Sequence, residues 1–123
     1  MILESYVSFE TAKLLKEKGF NEYCRAFRSP SGKLFYSSKD IKNFEDKKTI
    51  GSAAVAPTLQ MAMKWLREVH KLAIQTGYNY KGWFCTIDDI STQEADFKWE
   101  SKFYNLYEEA VEAAIKYCLE NLI

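Results

Sequence analysis

The sequence predicts an α+β fold of two layers: an antiparallel sheet built from two β-hairpins and three helices, in the order α-β-β-α-β-β-α. Three observations predict it. Apolar residues recur at three- and four-residue spacing in three separate segments, as amphipathic helices require. Two other segments alternate inward and outward side chains on either side of glycine-containing turns, as hairpins do. Helices gathered on one side of hairpin-derived strands then bury all three apolar stripes.

The first helix is expected from about Phe9 to Lys18. Ser8 is its cap, and Glu10 in the first turn complements the dipole. Ala12, Leu14 and Leu15 form the apolar stripe. Gly19 occupies the left-handed position after the helix, where Phe20 can fold back over Leu15. Strands follow at Tyr23–Arg28 and Lys33–Ser37, joined through Ser29-Pro30-Ser31-Gly32. The polar stretch from Ser38 to Ala56 is expected to be a long loop, and long loops are commonly mobile or binding elements.

Pro57 and Thr58 open the central helix, which presents Ala62, Trp65, Leu66, Val69 and Ala73 on one face and ends near His70. The second hairpin pairs Leu72–Tyr78 with Trp83–Asp88 across Asn79-Tyr80-Lys81-Gly82. An acidic connection, Asp89–Ser101, leads to the last helix. Asn105 is its expected cap with Glu108 at the third position. Tyr107, Ala110, Val111, Ala114, Ile115, Cys118 and Leu122 form its apolar face.

Length bounds the domain count at one, since two cores cut from 123 residues would each be small. With 47% hydrophobic and 28% charged residues the composition is that of a soluble globular protein. Aromatic residues make up 15%, so rings supply much of the buried area. Seventeen basic and seventeen acidic side chains cancel, which removes any general attraction to nucleic acid or an anionic membrane. No apolar run approaches the roughly 18–20 residues needed to cross a bilayer. The first residues carry neither the basic nor the apolar region of a secretion signal. Cys24, Cys85 and Cys118 are odd in number and widely spaced, so buried free thiols in a reducing cytoplasm are expected.

Residues able to carry chemistry are few. His70 is the only histidine, and its place at a helix end suits a capping role. The three cysteines lack the paired spacing of zinc ligands. Asp88, Asp89, Glu94, Asp96 and Glu100 read as a solvated acidic connection rather than a catalytic carboxylate pair. No nucleophile elbow, phosphate-binding loop, zinc-protease helix or dinucleotide fingerprint occurs, so neither enzyme activity, nor a cofactor, nor a metal is expected. One cluster could read nucleic acid: Arg25, Arg28, Lys33, Phe35 and Tyr36 interleave cations and rings on the first hairpin.

Three passages carry a resemblance. They are Ser8-Phe9-Glu10-Thr11-Ala12-Lys13-Leu14-Leu15-Lys16-Glu17-Lys18-Gly19-Phe20, the run from Ala56-Pro57-Thr58 to Trp65-Leu66-Arg67-Glu68, and Tyr107-Glu108-Glu109-Ala110. In these the chain resembles a group of short uncharacterised proteins encoded by prophages and mobile elements of gut bacteria. The resemblance implies a small α+β accessory protein and assigns no activity to any residue. The last helix also resembles the Y-E-E-A-x-x-A helix of HicB-type antitoxins, without the loop that precedes it there.

The expectation is therefore a non-enzymatic cytoplasmic interaction module that binds a protein partner, itself a monomer or weak homodimer and not membrane-bound. The alternative is a weak nucleic-acid binder working through Arg25, Arg28, Lys33, Phe35 and Tyr36.

Overall fold

The computed structural model describes residues Met1–Ile123 and shows a mixed α+β architecture. The elements run α1 (Phe9–Glu17), β1 (Cys24–Arg28), β2 (Leu34–Ile41), α2 (Lys47–Ile50), β3 (Ala54–Val55), α3 (Leu59–Val69), β4 (Leu72–Asn79), β5 (Gly82–Asp89), β6 (Asp96–Glu100) and α4 (Tyr107–Tyr117), with a π-helical turn over Cys118–Leu122. The chain divides into two compact units, Met1–Thr58 and Leu59–Ile123. The two hairpins seed two separate antiparallel sheets, ordered β2-β1-β3 and β4-β5-β6, instead of sharing one.

In the first unit, α1 is closed at both ends as its sequence requires. Ser8 accepts from the Thr11 amide at 3.2 Å. At the other end Gly19 has φ of 94°. The Phe20 amide reaches the Leu15 carbonyl at 2.9 Å and the Gly19 amide reaches Lys16 at 3.1 Å, the bond pair of a Schellman ending. Thr11, Ala12, Leu15 and Phe20 are buried.

The stretch Ser38–Ala56 is not an open loop. Strand β2 continues to Ile41, a single helical turn follows, and Ala54–Val55 pairs with Phe27–Arg28 as the third strand. Buried side chains hold it there: Ile41, Ile50, Ala53 and the fully enclosed Asn43. Asn43 is the pin. Its Nδ2 donates to the Phe20 carbonyl at 3.1 Å and its Oδ1 accepts from the Val55 amide at 2.9 Å, tying the end of α1 to β3.

In the second unit α3 and α4 pack on the β4–β5 hairpin and on each other, so both cover one sheet face. Trp65 and Val111 are buried there, with Cys85, Ile87, Ala110, Ala114, Ile115 and Cys118. Val69 is not part of this stripe; it stands 55% exposed at the last turn of α3. The α3 face is instead Leu59, Ala62, Met63, Trp65 and Leu66.

The acidic connection contains a strand. Trp99 of β6 pairs with Ile87 and stacks on Tyr117 of α4, centroids 4.4 Å apart and planes 11° apart. Ser101 secures the exit: its amide donates to the Cys85 carbonyl and its Oγ accepts from the Cys85 amide. The start of α4 lies one residue beyond expectation. Leu106 is the cap position, and its amide donates to Glu109 Oε1 at 3.2 Å, the backward half of a capping box. The π turn shifts the apolar face at the far end, so that Leu119 is buried in place of Leu122.

Candidate functional site

The first hairpin separates the residues expected to act together. Residues alternate between the faces of a strand, and the register sets Ala26 opposite Tyr36 and Phe27 opposite Phe35. Arg28 and Tyr36 therefore lie on one face, Phe35 and Phe27 on the other. Arg28 is committed internally: Nε donates to the Val7 carbonyl at 2.9 Å and the terminal nitrogens reach Gly32 and Tyr6. This guanidinium clasps the segment before α1 to the hairpin turn, and Tyr6 packs edge-on against Tyr36. Arg25, at an irregularity in the pairing, forms an ion pair with Asp40 at 2.6 Å. Lys33 sits over the ring of Phe35, which stacks on Phe27 at 5.3 Å. All three cations thus already have partners.

The titratable groups are set up for packing. Burial pushes the Cys118 and Cys24 thiols up to about 12 and Cys85 to about 11, so each stays protonated and weakly nucleophilic at neutral pH. No group of three or more His, Cys, Asp or Glu side chains is arranged to hold a metal ion. At the β6 edge of the second sheet, Asp96 pairs with Lys98 at 2.8 Å, and hydrogen bonds from the Ser91 side chain and then its amide lower the pKa of the Asp89 carboxyl.

His70 is not a cationic cap. Its ring meets Trp65 edge-on at 4.7 Å, and its Nε2 is buried without a hydrogen-bond partner. Burial lowers its pKa below the ordinary 6.5. The unfolded chain therefore takes up this proton before the folded one does. Stability from this residue is complete above the unfolded pKa and is lost as pH falls through the window below it. The denaturant midpoint should drop as pH falls through and below the ordinary 6.5, and His70→Phe should flatten that part of the slope. An unchanged slope in His70→Phe would contradict this account.

A cleft of about 700 Å³ lies within the first unit. One stripe of α1 forms a wall, with Phe9, Lys13, Lys16 and Glu17 at helical spacing, while Ala12 and Leu15 face the core. Pro30 comes from the hairpin turn, Phe44 from the stretch after β2, and Ser52, Ala53 and Ala54 from the approach to β3. Phe44 is 46% exposed, a large ring held at a surface by the backbone bond from its amide to Asn21 Oδ1. The Lys13 and Lys16 ammoniums enter none of the ion pairs of the structure. Two free cations against one carboxylate leave the mouth electropositive over a largely apolar wall. The volume is that of sites that bind small ligands or single side chains of a partner.

The second sheet carries another surface. The face away from α3 and α4 presents Phe84, whose ring covers Gly77 and meets Phe103 edge-on at 5.6 Å; Phe97 is 61% exposed. The outward direction of Phe84 follows from the alternation with buried Cys85 and Ile87.

The chain matches no protein-family model, no curated protein and no solved structure. None of the cleft residues stands out in the sequence as a site. The traces were an aromatic at Phe44 inside a charged stretch and the small run Ser52-Ala53-Ala54, neither of which indicates where α1 will lie.

Proposed function

We propose that the chain is a non-enzymatic interaction module of the cytoplasm that binds a protein partner through the α1 cleft. The observation that carries this reading is the combination of apolar walls with two unpaired lysines in an open cleft. Apolar side chains at the centre of a contact supply affinity, and charges at its rim supply orientation. Part of the cleft comes from the Ser38–Ala56 stretch, through Phe44, Ser52, Ala53 and Ala54. The protonated thiols support a role without thiolate chemistry.

The test is affinity capture from cells that express the tagged full chain, comparing wild type with Ser52→Trp. Ser52 is exposed at the cleft, so the indole fills the cleft without entering the core. A stoichiometric protein held by wild type and lost by the variant is the expected result. Absence of any stoichiometric partner, or one retained equally by Ser52→Trp, would overturn the proposal.

A further inference from the structure

We infer that the α1 cleft selects an extended partner segment in which acidic side chains at alternate positions flank an apolar one; this rests on the reading of the cleft as the partner site. Lys13 and Lys16 are three residues apart on α1, which puts their Cβ atoms roughly 5–6 Å from each other. Side chains at alternate positions of an extended strand are about 6.5–7 Å apart on one face. Two such carboxylates can therefore each meet one ammonium, and the spacing matches an extended chain.

The intervening side chain points the other way. The cleft offers it Phe44 and Pro30, both on the surface, and the small side chains of Ala53 and Ala54, which leave room for a large group. Charge complementarity fixes the sign of the segment. Lys13 and Lys16 have no partner within the chain, and Glu17 disfavours a third carboxylate beyond the pair. A neutral apolar segment would leave both ammoniums with only water. A basic one would meet like charge, which costs affinity and acts against wrong partners.

Selection from a displayed library of random linear peptides, on the immobilised full chain, tests this without a known partner. Peptides enriched in an acidic–apolar–acidic pattern are expected. Labelled copies of a selected peptide are then titrated by fluorescence anisotropy. Changing its acidic residues to their amides, or using the Lys13→Glu/Lys16→Glu double variant, should each weaken binding roughly tenfold or more, and added salt should weaken wild-type binding. Selected peptides with no acidic enrichment that are lost on Ser52→Trp would overturn the charge pattern while leaving the cleft as the partner site. Peptides that bind Ser52→Trp as well as wild type, or no selected peptide at all, would overturn both.

Discussion

Asn43→Leu should be the most damaging polar substitution in the first unit, costing roughly 2–4 kcal/mol in a full-chain denaturation. Leucine keeps the branched shape of asparagine but is the bulkier side chain, so overpacking adds to the loss. The larger part of the cost is that the Val55 amide loses its acceptor and the Phe20 carbonyl loses a donor, both deep in the structure where water cannot replace Asn43. Asn21→Ala is the control. Asn21 also accepts from a backbone amide, that of Phe44, but at an exposed position where water can substitute, so a loss below about 1 kcal/mol is expected. Equal losses for the two variants would show that Asn43 is not the pin between α1 and β3.

The second large effect concerns two glycines in one hairpin. Gly82 has φ of 125°, a region side-chain-bearing residues rarely occupy, and a Cβ there would lie 2.5 Å from the Tyr104 carbonyl oxygen. That carbonyl accepts from the Trp83 amide, so it cannot move without breaking the link between β5 and the segment before α4. Gly82→Ala should therefore cost roughly 3 kcal/mol or more, combining backbone strain with a lost bridge. Gly77→Ala also meets a neighbour at 2.5 Å, but that neighbour is the tip of the Phe84 ring on the uncovered face. The ring can swing aside, so a loss near 1 kcal/mol is expected. Thermal unfolding of the two variants side by side checks the order; a larger loss in Gly77→Ala would contradict it.

Local signals were legible wherever a residue acts on its own neighbourhood. The cap at Ser8, the Gly19–Phe20 ending of α1, and the alternation that buries Cys85 and Ile87 and turns Phe84 outward are all readable along the chain. Elements fixed by distant partners were not. Ala54–Val55 is too short to show a period, and it becomes a strand because Asn43 and β1 take up its backbone groups. Strand β6 interleaves Phe97 and Trp99 with Asp96, Lys98 and Glu100, which read as a polar connection until Tyr117 offers Trp99 a surface to stack on. Pairing of strands into two sheets instead of one is likewise a non-local outcome. The cleft draws on segments spread between Phe9 and Ala54, so no spacing along the sequence could announce it. The hairpin cluster is divided between two faces for a simpler reason. Arg28 and Tyr36 fall on the opposite face from Phe35, and Arg28 is occupied by three backbone carbonyls.

Amide hydrogen exchange on the chain, free and bound to the partner it captures, tests the cleft most directly. New protection in α1 from Phe9 to Glu17, together with Ser52–Ala54 and the neighbourhood of Phe44, is the result the proposed binding mode predicts. Protection confined to the β1–β2 hairpin, or to the Phe84 face of the β4-β5-β6 sheet, would contradict it.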